Sequence, residues 1–328
     1  MSINERAVTA LSLPSPRGPL SRWVIDTVRG SRAPAPTVPF SDPFDDDLQL
    51  ALYCCYEGHF APLPEAAGDL EWDIDLLRFR RALEWVFELG LRDIVGPVPT
   101  TADVCVTIPA MLLADDGPSL SRYMEARGTL EQMRDFVVHR AAYQLKEADG
   151  HTFGIPRLDG PAKQMLAEIQ AGEYGADGPD RTMHAALFAD TMRAIGLDDR
   201  RNAYLDVQPG TALAISNLIS MFGLHRRWRG ALVGHLAVFE MTSVVPMGRY
   251  AAALERLAAS DVARRFYDVH VLADAEHEVM ALDLACRLAA DEPELVGDVV
   301  FGASCAIAAE QRFATRLLRG WGVDPAEA

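Results

Sequence analysis

The chain contains no run of about 18 consecutive apolar residues, so no membrane-spanning helix is expected. Basic residues are also scarce, with 31 Lys and Arg against 47 Asp and Glu and a formal net charge of −16 over 328 residues. Binding to a phosphate backbone needs clustered cations, so nucleic acid and anionic membrane surfaces are disfavoured as partners. The one compact basic stretch, His225-Arg-Arg-Trp-Arg229, reads as a helix terminus or a small-anion site. The five cysteines are an odd number and none is spaced CxxC, so neither a disulfide framework nor a cysteine zinc site is expected. Adjacent Cys54 and Cys55 fall in an apolar run and read as packing residues. No signal-peptide pattern precedes Pro14, Pro16 and Pro19, which makes a cytoplasmic location the expectation. Phosphate-binding glycine loops, Ser/His/Asp nucleophile arrangements, repeats and heptads are all missing.

What remains is helix. With 49% hydrophobic residues the chain can bury a sizeable core. Residues 1–45, rich in Pro, Ser, Gly and Arg, read as a flexible or clamped arm. Asp45-Asp46-Asp47 supplies the negative charge that suits a helix N-terminus, opening an apolar helix over Leu48–Phe60. Apolar residues at helical spacing predict a second helix over Asp75–Leu89. Residues 46–115 thus form a helical extension, whose best strand candidate is Val104–Ile108. From 116 to 328 the pattern is almost entirely helical. A capping box, Thr129-Leu-Glu-Gln132, opens a helix to about Asp149, and Pro161 starts one reaching about Glu173. Further helices fit 182–195, 207–225, 229–243, 247–257, 261–285 and 291–318. The fold class is all-α.

Three polar residues stand out in the segment Phe266–Glu278. His270, Asp274 and His277 sit at i, i+4 and i+7, one face of a helix. Two imidazoles and a carboxylate on one stripe suit iron, manganese or zinc and would be costly to bury unpaired; the plain alternative is a solvated polar face. Glu240 lies among apolar residues in Gly234–Thr242, which points to a ligand or a buried ion pair. Glu173 and His184 bracket a Gly- and Pro-containing break that lets residues so far apart meet. Glu147 and His151 form an i, i+4 pair near a helix end, readable as ligands, as support for ligands, or as a cap. Tyr143 and Tyr174 are candidates to line a pocket. His235, five residues before Glu240, points away from it and reads as packed, and His59, His139 and His225 read as structural hydrogen-bonding residues.

The ordered set Glu173, His184, Glu240, His270, Asp274 and His277 resembles the haem-oxygenase-like diiron oxidases and oxygenases, the iron-containing redox enzymes. Gln144–Arg157 and Phe222–Ser243 are similar to an actinobacterial branch of them. The likeness spans about 115–318, with a weaker match over 48–84. It implies a haem-oxygenase-like bundle in which those six residues bind two irons, Glu240 and Asp274 lying closest to the chemistry. Glu147 corresponds to the additional carboxylate of the N-oxygenating members. Which carboxylate bridges is left open. Relatives often carry Pro where this chain has Gly150.

The resemblance implies O2-dependent oxidation of a small metabolite with an external electron donor, tilted by Glu147 towards N-oxygenation of an amine. Rivals are oxidative desaturation or C–C cleavage of an amino or fatty acid, for which Arg249 could bind the carboxylate, and zinc hydrolysis. A metal-free binding protein, or a cofactor-independent enzyme of the same fold, would lack the full ligand set. The extension is expected to cap the bundle, form a homodimer contact or recruit a partner.

Overall fold

The computed structural model describes residues 13–40, 42–61, 63, 65–66, 70–176 and 181–328. Pro19 occupies the first turn of a helix, Pro19–Val28 (α1), where a missing N–H leaves no helical bond unmade. Trp23, Val24, Ile25 and Val28 of α1 are buried. The arm expected over residues 1–45 is therefore corrected in this part to a packed helix, whereas residues 1–12 and 41 lie outside the described residues. Asp45 accepts from the backbone N–H groups of Asp47 and Leu48 and caps Asp46–Glu57 (α2). Asp73 does the same for Ile74–Val95 (α3).

The best strand candidate, 104–108, is a helix, Val104–Leu113 (α4). Asp103 caps it, and Val104 and Ile108, one turn apart, are its buried residues. β-branched residues carry strand propensity, but here burial against neighbouring helices decides the outcome. Leu120–Arg127 (α5) and Leu130–Gln144 (α6) follow, the latter opened by the capping box of Thr129 and Gln132. α6 ends five residues before the expected Asp149. The chain turns at Leu145–Ala148, with Ala148 at φ 75°, into the short Asp149–Thr152 (α7).

Gly160–Glu173 (α8), His184–Ala194 (α9), Gly210–Leu224 (α10), Arg229–Met241 (α11), Val244–Arg256 (α12), Asp261–Asp291 (α13) and Val296–Gly320 (α14) complete the chain, each close to its expected position. No strand occurs among the described residues. The fold is an all-α bundle organised about α13, against which α4, α8, α9, α11 and α12 pack. α1 and α2 lie together, with α2 packed on α10. Helices α11 and α14 cross at two glycines: a Cβ on Gly234 would overlap the backbone of Val299, and one on Gly302 that of Ala231. A Cβ on Gly150 would meet the side chain of Ile219, which would have to shift.

Cys105 on α4 and Cys286 on α13 form a disulfide with a Cα–Cα distance of 5.4 Å. This corrects the expectation of none. The partners are 181 residues apart, and sequence spacing cannot reveal such a pairing. Among the described residues no single helix is long and apolar enough to cross a membrane.

Candidate metal centre

Helix α13 presents His270, Asp274 and His277 inward, all three buried, as the i, i+4, i+7 spacing predicts. Opposite them, Glu173 is the last residue of α8 and His184 the first of α9. That break brings Nδ1 of His184 to 2.9 Å from Oε2 of Glu173. Glu240 comes from the C-terminal turn of α11 and is buried. Glu147 comes from the turn after α6, held by its neighbour: Lys146 Nζ donates to Glu57 of α2 at 2.7 Å. Glu57 also accepts from Asn202 at 3.0 Å.

These seven residues meet in two groups. Glu147, Glu173, His184 and His270 bring one donor atom each within 4.8 Å of one another, and so do Glu173, Glu240, Asp274 and His277. Glu173 belongs to both. His270 Nε2 lies 3.5 Å from Glu147, and His277 Nδ1 lies 3.4 Å from Glu173, 3.6 Å from Glu240 and 3.8 Å from Asp274.

Four atoms of this site are buried with no hydrogen-bond partner: Glu147 Oε2, His270 Nε2, Asp274 Oδ2 and His277 Nδ1. An orphaned buried polar atom costs about 1–3 kcal/mol, and four turned to one place fit cations better than any protein partner present. The His270 ring is also set for ligation, because Nδ1 is 2.7 Å from the Phe266 carbonyl oxygen. A proton on Nδ1 donates there and leaves Nε2 as a lone-pair donor facing the cluster. A set of carboxylates and imidazoles suits iron.

The charges are strongly coupled. Burial pushes the Glu240 carboxyl up, assisted by Glu173 and Asp274, to about 8. Burial also raises Asp274. For Glu173, burial pushes upward, but the nearby rings of His184 and His277, at 2.9 and 3.4 Å, outweigh it and hold the group well below the usual range. Burial opposes charge on His270 and His277, yet Glu147 raises the former to about 10, while Glu173 and Glu240 raise the latter to about 10. The site thus stores positive charge on its histidines, and a bound cation would displace those protons.

A cavity of about 400 Å³ reaches Glu147, Glu173, Glu240, His270 and Asp274, with exposed Asp115 and Arg122 at its mouth. Phe136, Tyr143, Phe239, Tyr250, Tyr267 and Phe313 line it. Tyr143 stands edge-on to Phe239, ring centroids 5.5 Å apart. Tyr174 is not in that wall; its hydroxyl bonds Asp149 at 3.0 Å and Thr152 at 3.1 Å. Nor does His151 touch the carboxylates, because the turn at 145–148 breaks its helical relation to Glu147. Its Nε2 lies 3.1 Å from Nδ1 of His235, which stacks on Phe239. Arg249, the expected carboxylate binder, pairs instead with Glu125 at 3.6 Å and is absent from the cavity wall. His59, His139 and His225 make the structural contacts expected of them, with Glu71, Asp135 and Glu84.

Sequence patterns gave no sign of the Arg140–Glu310 ion pair in the cavity wall or of the Lys146–Glu57 pair behind Glu147. Their partners lie far apart in the chain, and neither pair has a local motif.

The family model for iron-containing redox enzymes matches residues 134–311, over half of the chain. Among curated proteins, none matches it.

Proposed function

The chain belongs to the iron-containing redox enzymes, and from that premise we propose that it binds two irons, one at each of the two donor groups that share Glu173, and uses O2 to oxygenate the nitrogen of a small amine. Iron-dependent oxidation follows from the family. The pair of irons rests on one observation, the sharing of Glu173 by two four-donor groups.

When bound, reduced iron would supply electrons and open coordination positions to O2. The chain's own residues do the rest. Glu147, His184 and His270 would hold one metal, Glu240, Asp274 and His277 the other, and the Phe266 carbonyl fixes the His270 ring. Phe239, Tyr143 and Tyr267 exclude water beside the carboxylates. In the overall reaction an amine, O2, two electrons from an external donor and two protons give a hydroxylamine and water. One N–O bond forms and the O–O bond breaks.

The supplementary carboxylate Glu147 supports nitrogen over carbon oxidation. The state of the arginines supports it too. Of the two arginines that line the cavity, Arg122 lies exposed at its mouth, and the inner Arg140 is held by both oxygens of Glu310 at 2.7 and 2.5 Å and is not free to take a carboxylate.

The test is an anaerobic Fe(II) titration of the metal-free protein, followed by rapid mixing with O2 and an amine panel. Two irons per chain, an O2-dependent absorbance change and a product heavier by one oxygen atom are expected. No iron uptake would overturn the reading. Desaturated or chain-shortened products would transfer it to the acid-oxidising rival.

A further inference from the structure

Five buried, unpartnered polar atoms belong to residues of the cavity wall: Gln144 Oε1, Glu147 Oε2, Tyr267 Oη, His270 Nε2 and Asp274 Oδ2. The metal reading, on which this inference rests, accounts for three of them. Gln144 and Tyr267 remain, although they are 6% and 1% exposed. We propose that these two oxygens are the recognition site for the substrate's amino group.

Their place in the fold supports this. Tyr267 stands three residues before His270 on α13, and residues so spaced share a helix face. Gln144, the last residue of α6, stands three before Glu147 on the facing side. Both side chains line the same cavity as Glu147 and His270. A nitrogen held between them would lie in the cavity that Glu147 and His270 also line.

The chemistry selects the ligand class. Gln144 Oε1 only accepts hydrogen bonds, and the Tyr267 oxygen has acceptor lone pairs. Burial, reinforced by Tyr250, raises the Tyr267 phenol, so it stays neutral. An amine has two N–H groups, one for each oxygen, and in its neutral form keeps a lone pair free for the reacting side. An alcohol carries one such donor and satisfies one oxygen. A carboxylate carries none and would meet the ionised Glu173 of the same wall with like charge. Phe136, Phe239, Tyr250 and Phe313 supply aromatic walls that suit an aryl or alkyl body on the amine.

Binding of 2-phenylethylamine, 2-phenylethanol and phenylacetate to the metal-free wild-type protein, measured by calorimetry, decides the matter without any turnover. The expected order is amine, then alcohol, then carboxylate. Tyr267→Phe and Gln144→Leu should each weaken the amine several-fold, to about tenfold, the worth of one hydrogen bond. Gln144→Glu, which keeps the acceptor and adds charge, should hold or tighten it, while thermal melting and iron uptake of all three variants stay near wild type. Equal affinity for the three probes, preference for phenylacetate, no amine binding at millimolar concentration, or wild-type amine affinity in both Phe and Leu variants would each overturn the inference. Iron uptake by the wild type is scored separately, so its failure strikes the metal reading and leaves the probe titration to judge this one.

Discussion

Oε2 of Glu173 lies 2.9 Å from Nδ1 of His184, across a break that separates them by eleven residues. The same carboxylate faces His277 at 3.4 Å through its other oxygen. A side chain shared in this way should be worth both metals. Glu173→Ala is expected to abolish iron retention, whereas Glu147→Ala should lose roughly half of it, since only one group contains that residue. Glu240→Ala and His277→Ala should remove iron from the other group and end turnover. Iron per chain after desalting is the measurement, and equal loss in the Glu147 and Glu173 variants would refute the shared role.

The paired rings of His151 and His235 predict a pH effect away from the ligands. Burial lowers His151 from 6.5 to about 4, and burial together with His151 lowers His235 further. The unfolded chain takes up protons first as pH falls, so stability present above about 6.5 is lost on the way down through 4. For His151 alone the loss amounts to about 3 kcal/mol at most. In urea denaturation of the metal-free protein, His235→Leu should gain on wild type as pH drops through that window. A difference independent of pH would remove the explanation.

Gly234 and Gly302 set how closely α11 approaches α14. Gly234→Ala pushes a methyl group into the Val299 backbone and should destabilise the fold by about 1–3 kcal/mol. Iron uptake should weaken with it, because α11 also carries Glu240. Gly320→Ala, where nothing lies near the added carbon, is the control and should melt as wild type. Equal melting temperatures for the two would show that the crossing tolerates the methyl.

The disulfide predicts a thiol count. Three of the five cysteines, Cys54, Cys55 and Cys305, are free and buried. Denaturation without reductant should therefore expose three titratable thiols, and reduction should raise the number to five. Five thiols before reduction would mean that Cys105 and Cys286 are not joined.

Much of this was legible in the sequence, for reasons that individual residues make plain. His270, Asp274 and His277 were readable because helical periodicity alone places them on one face. Glu240 was readable because a carboxylate among apolar residues needs a cause. Cap residues set the starts of α2 and α6 within a few positions, and apolar spacing set that of α3. What stayed hidden depended on contacts between distant parts of the chain. Val104–Ile108 has strand-like residues, and only its burial against other helices makes it α4. The end of α6 at Gln144 follows a turn tied down by Glu57, eighty-nine residues before Lys146 in the chain. That same turn separated Glu147 from His151, which a continuous helix would have kept together. The roles left to Gln144 and Tyr267 emerged only from which buried atoms lack partners.

The Lys146–Glu57 pair also bears on how such a protein can be cut and recombined. Glu57 is held low, to about 2, because the pull of Lys146 and Arg201 exceeds the effect of burial, and Lys146 is itself buried. A shortened chain starting at residue 116 would contain the whole stretch that matches the family, yet it would leave the Lys146 ammonium without its counter-ion beside Glu147. Separating a buried pair in this way costs about 3–5 kcal/mol. The first helices are thus not an appendage to be trimmed. Any chimera between relatives must inherit Glu57 and Lys146 together or replace them together.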